Sequence, residues 1–148
     1  MKPQKHLPEP VYKPIQSPIG IFQGRDAIHV DALHYDPQAG GQLRIVGQID
    51  GNSVTHNPDR REWFSFSLIF EDVQAFTVTQ VDTYGYGGGS VSSFDQVFHS
   101  RWRHELLNKN TSTVTGRHTH YHLRTYDDVL DILSESFTLV LDGQKTKF

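Results

Sequence analysis

Apolar and polar residues alternate through much of the first half of this chain, and a period of two places successive side chains on opposite faces of a β-strand. Ile19 and Ile21 start the pattern, Ile28, Val30 and Ala32 continue it, and Leu43, Ile45, Gly47 and Ile49 resume it after the turn sequence Asp36-Pro37-Gln38-Ala39-Gly40-Gly41. Beyond a polar loop over roughly 50–61, Phe64, Phe66, Leu68 and Phe70 oppose Ser65 and Ser67, as expected of a strand with one buried face. Glu71-Asp72 reads as a tight connection into a strand over 75–83 carrying Phe76 and Val78, so the two strands predict a hairpin within a β-meander.

The pattern changes at Tyr84-Gly85-Tyr86-Gly87-Gly88-Gly89-Ser90, whose glycines predict a loop. Ser92 or Ser93 then caps a predicted helix running to about Asn108, with Phe94, Val97, Phe98, Trp102 and Leu106 at helical spacing. His118-Thr119-His120-Tyr121-His122-Leu123 returns to alternation. Thr125 with Asp128 reads as the capping box of a second helix, with Asp127, Asp128 and Asp131 in its first turns and Val129, Ile132 and Leu133 as its apolar stripe. Phe137, Leu139 and Leu141 predict a last strand. The expected class is α+β, a mostly antiparallel β-meander sheet with two helices packed on one face. Residues 1–18, carrying Pro3, Pro8, Pro10, Pro14 and Pro18, read as an extended arm, 19–142 as a single α+β domain, and 143–148 as a polar tail.

Composition narrows the partners. A formal charge of −3 gives no electrostatic reason for nucleic-acid or anionic-membrane binding. Nothing approaches the roughly 20 apolar residues of a membrane-spanning helix, and no signal-peptide core opens the chain, so the expected location is the cytoplasm. Without cysteine, any metal must be held by His, Asp or Glu. Protonating the nine histidines adds nine positive charges to that −3, so mild acid reverses the sign of the surface field.

The principal chemical candidate is the trio His118, His120 and His122, three imidazoles on one strand face. Adjacent members stand about 6.6 Å apart at Cα and the outer two about 13 Å, so one zinc ion with bonds of ~2.0–2.1 Å joins two neighbours, His120 and His122 being the preferred pair. The further ligand must come from elsewhere: His29 with Asp31, His34 with Asp36, or His99, His104 and Glu105. A zinc-bound water would be a hydrolytic nucleophile, with Asp31 or Glu105 as its base. No HExxH motif accompanies the trio. The glycine loop lacks the spacing of a phosphate-binding loop and is better read as presenting Tyr84 and Tyr86. Arg101, Arg103 and His104 read as a solvated helix face, and a trio of Ser100, His122 and Asp127 lacks a GxSxG elbow.

Two stretches carry a resemblance: Ser93-Phe94-Asp95-Gln96-Val97-Phe98 with Ser100 and Trp102, and His120 through Leu133 with its Tyr126-Asp127-Asp128 core. They resemble small standalone bacterial proteins of uncharacterised function, some of them similar to the cytoplasmic immunity partners of secreted toxins. That resemblance covers about the last 90 residues. It implies a non-enzymatic protein-interaction module without a cofactor, whose partner would meet Tyr84, Tyr86, Arg101, Arg103 and Tyr126. The alternative is a His-ligated zinc protein with hydrolytic potential. A homo-oligomer fits either expectation.

Overall fold

Ten strands and two short helices make up the described residues, 7–85 and 89–148, of this computed structural model. The strands are β1 (Val11–Pro14), β2 (Ile28–Asp36), β3 (Gln42–Asp50), β4 (Trp63–Glu71), β5 (Ala75–Gln80), β6 (Phe94–Phe98), β7 (Thr119–Arg124), β8 (Asp128–Ser134), β9 (Ser136–Leu141) and β10 (Gln144–Lys147); the helices are α1 (Val81–Tyr84) and α2 (Arg101–Leu107). They form two five-stranded antiparallel sheets, in the orders β1-β6-β7-β8-β5 and β10-β9-β4-β3-β2. The expected antiparallel character holds; the single meander with helices on one face does not.

The alternating strands form the second sheet. Ile45, Leu68 and Leu139 line up across β3, β4 and β9, as do Leu43, Phe70 and Phe137. These rows face the first sheet, where Phe94, Tyr121, Leu123, Leu130 and Ile132 complete the core. Phe70, Phe94, Tyr121 and Phe137 join the sheets through ring contacts of 5.0–6.3 Å. A bulge between Val30 and Ala32 shifts the parity of β2, so Leu33 rather than Ala32 lies opposite Ile45. The backbone of β2 approaches closely there: a Cβ on Gly47 would stand 1.9 Å from the His29 carbonyl oxygen, which accounts for glycine at that position.

Several expected elements change identity. β4 and β5 are no hairpin, because the chain crosses between sheets through Asp72, a non-glycine residue at φ 51°, and β4 pairs with β9 while β5 pairs with β8. The first predicted helix is instead β6 followed by α2, and its cap is Ser100, whose Oγ accepts from the Arg103 amide, in place of Ser92 or Ser93. The second predicted helix is β8. Thr125 Oγ1 does accept from the Asp128 amide, as a capping box requires, but the bond closes the β7–β8 turn. Over its described part, the proline-rich arm contributes β1 to a sheet edge, where proline is tolerated, and Ile15 packs against the core. The polar tail forms β10, and Phe148 stacks on Phe137 at 4.5 Å.

Candidate metal centre

The central strands of the first sheet, β6, β7 and β8, are mostly buried on both faces, and their outer face carries polar side chains. Antiparallel pairing sets Asp95 of β6, His122 of β7 and Asp131 of β8 in one row across the sheet, with Thr77 of β5 beside Asp131. His120, two residues before His122, falls on the same face. Over this layer lie Trp102 of α2, against His120 at 5.1 Å, and Tyr12 and Tyr84, against His122 at 5.3 and 5.6 Å. The cover leaves His122 fully buried, His120 6% exposed and Asp95 fully buried.

Two imidazoles converge on one carboxylate oxygen. His120 Nε2 and His122 Nδ1 each lie 2.7 Å from Asp131 Oδ1, and the three donor atoms fall within 4.8 Å of one another. The second nitrogen of His120, Nδ1, is 2.7 Å from Ser100 Oγ, whereas His122 Nε2 is buried with no hydrogen-bond partner. His118 stands apart from its two neighbours: its Nδ1 accepts from the Thr115 amide at 2.9 Å, which leaves the proton on Nε2 to be donated to Asp72 at 2.9 Å. The candidate ligand group is therefore His120, His122 and Asp131, without His118.

The local potential is negative. Burial alone would raise the Asp131 carboxyl, but the hydrogen bonds from His120 and His122 outweigh it and hold the group well below the usual carboxylate range. Burial, then the charge of Asp131, then the phenol of Tyr12 push Tyr84 up to about 12, and burial with Asp131 and Asp95 raises Tyr12. Asp95 accepts from the Val91 and Ser92 amides and the Ser92 hydroxyl. A half-buried carboxylate with two buried imidazoles, and no buried Lys or Arg among the described residues, is a donor set suited to a divalent first-row metal. Two His and one carboxylate fit zinc, and equally iron(II). Ser100 would then orient His120 from behind, as hydrogen-bonded partners of metal-binding imidazoles do.

Other predicted residues are dispersed. Among the proposed additional ligands and bases, Asp31 lies in the bulge of β2 in the other sheet and His34 and Asp36 farther along that strand; His104 and Glu105 lie on α2, and His99, at φ 56°, joins β6 to α2. Asp127 belongs to the β7–β8 turn, where its carbonyl accepts from the Val81 amide, so Ser100, His122 and Asp127 are not assembled. What Ser100 does join is the chain Ser100–His120–Asp131. Of the five predicted partner-binding residues, Tyr84 covers His122, Arg101 pairs with Glu9 at 2.8 Å, Arg103 Nε donates to the His118 carbonyl at 2.5 Å, and Tyr126 stacks on His29 at 5.1 Å beside Arg25. Tyr84 and Arg101 border one cavity, and Arg103 and Tyr126 do not line it. Tyr86 lies outside the described residues.

Asp131 is the candidate ligand that the sequence pattern does not reveal, because the segment around it has helical spacing yet forms β8. Its signal was the Thr125–Asp128 turn: a hairpin closed there puts 131 opposite 122. No protein-family model, curated protein or solved structure matches the chain. Among the described residues, no helix is long and apolar enough to cross a membrane.

Proposed function

We propose that this protein binds one divalent transition-metal ion through His120 Nε2, His122 Nδ1 and Asp131 Oδ1. The observation that carries the reading is the convergence of three donors from two neighbouring strands on a single buried point, with 2.7 Å between Asp131 Oδ1 and each imidazole nitrogen. A metal ion replaces the two imidazole protons that otherwise face Asp131, and its charge answers the negative potential of the layer. The strand positions are fixed by sheet register and by the packing of Trp102, Tyr12 and Tyr84, so the site is held by rigid elements. This favours the zinc-protein alternative over a module that works through surface contacts alone.

Untagged protein, dialysed against zinc and passed over a desalting column, is expected to retain one equivalent by elemental analysis. His120→Ala, His122→Ala and Asp131→Ala should each abolish stoichiometric retention, while His118→Gln leaves it intact. Equal loss in all four variants, or no retention by the wild-type chain, removes the assignment.

A further inference from the structure

The three donors all approach from the sheet, which leaves the side facing away from it free. On that side lies a cavity of about 280 Å³ bordered by two of the ligands, His120 and Asp131. Its walls come from three elements distant in sequence: Tyr12 of β1, Tyr84 of α1 and Trp102 of α2. Arg101, whose side chain is 54% exposed, stands at the rim, joined to Glu9. A structural metal site is closed by a fourth protein ligand, whereas three protein ligands beside a cavity leave a position for an exogenous group. Among the described residues no other His, Asp or Glu joins the set.

The charges and the walls define what fits. A divalent ion held by the single negative charge of Asp131 and two neutral imidazoles keeps one positive charge within its own ligand set, which suits an anionic oxygen as the further ligand. Asp95 accepts from its own three donors and does not join the ligand set, so it leaves the open position on the metal to an exogenous group. Phenol hydroxyls are protonated at neutral pH and can donate to an oxygen on the metal, and the adjoining rings suit an apolar, planar body. The cavity falls just under the ~300–1,000 Å³ typical of drug-sized ligands, so it takes a molecule of about one ring.

Resting on the metal assignment above, we propose that the centre keeps an exchangeable position that binds a small aromatic carboxylate, with the carboxylate on the metal near Arg101 and the ring against Tyr12, Tyr84 and Trp102. This makes the protein a binder of a small aromatic acid.

Cobalt(II) in place of the native ion tests it, because its visible d–d bands report coordination. Cobalt-loaded protein titrated with benzoate should show saturable band changes, at an affinity about tenfold or more above that for acetate, the difference being the burial of one ring. Trp102→Ala, which keeps every ligand and removes one ring from the cavity wall, should bring the benzoate affinity down close to that for acetate. A cobalt spectrum that forms normally but is unmoved by benzoate, acetate and azide overturns the open position and leaves the metal assignment standing. Equal affinity for acetate and benzoate overturns the aromatic pocket. Failure of cobalt to bind at all overturns both.

Discussion

The two sheets share one core and differ on their other faces. In the second sheet, β3, β4 and β9 bury every other residue: Leu43, Ile45 and Ile49, then Phe64, Phe66, Leu68 and Phe70, then Phe137, Leu139 and Leu141 point inward, while Arg44, Gln48, Ser65 and Thr138 do not. In the first sheet, β7 buries His120, Tyr121, His122 and Leu123 in succession, and β8 buries all but Asp128 and Asp131. Solvent covers one outer face; α1, α2 and Tyr12 cover the other. Polar residues at alternate strand positions therefore have two meanings. On the second sheet they meet water, and on the first they are enclosed, where each must find a partner or bind something.

Leu130 and Leu133, three residues apart on opposite faces of β8, are both essentially buried. If both faces are packed, Leu130→Ala and Leu133→Ala should each cost about 2–5 kcal/mol in urea denaturation. On the second sheet, Leu68→Ala should cost a similar amount and Ser67→Ala should stay within about 0.5 kcal/mol. A Leu133→Ala cost in the Ser67 range would mean that the outer layer of the first sheet is open to water.

The same asymmetry decided what could be read from the sequence. Strands of the second sheet announced themselves, since one wet face forces alternation; β2, β3, β4 and β9 fall where Ile28, Leu43, Phe64 and Phe137 suggested. β8 did not, because a strand buried on both faces loses its period of two. Val129, Leu130, Ile132 and Leu133, interrupted by Asp131, happen to fall at helical spacing, and Thr125 with Asp128 makes the same local hydrogen bond in a turn as in a helix cap. The His120 and His122 pair was legible from parity alone. Its third member was not, because register between strands depends on where the turn closes, and the split of His118 toward Asp72 depends on a chain crossing between the sheets.

Titration separates the layers next. Asp131 in the enclosed layer and Asp142 at the surface of the second sheet are both held below the ordinary carboxyl value of ~3.9, Asp142 chiefly by its hydrogen bond from Arg61. A carboxyl lowered in the folded state contributes stability that is complete above its unfolded value and lost as pH falls through and below it. In metal-free protein, the decline of stability below about pH 4 should flatten clearly in Asp131→Asn and only slightly in Asp142→Asn, whose ion pair is screened by solvent. Urea midpoints compared between pH 5 and pH 2.5 read this out, and equal flattening in the two variants would erase the distinction between enclosed and surface carboxylates.

The smallest effect concerns how the enclosing cover is fastened. Ser100 Oγ meets His120 Nδ1 on one side and accepts from the Arg103 amide on the other, so a single hydroxyl joins the first turn of α2 to the imidazole beneath it. Losing the cap alone should cost Ser100→Ala about 1 kcal/mol of stability. If the hydroxyl also orients His120, the same variant should weaken zinc binding by roughly 10–100-fold, the usual penalty for removing a partner behind a metal-bound imidazole. Thr125→Ala, which removes a comparable local bond at the β7–β8 turn without touching either histidine, supplies the control. A similar stability loss in both variants with weakened metal binding only in Ser100→Ala would show that α2 is more than a lid on the polar layer; weakening in neither would reduce Ser100 to an ordinary cap and leave the two faces of the first sheet independently built.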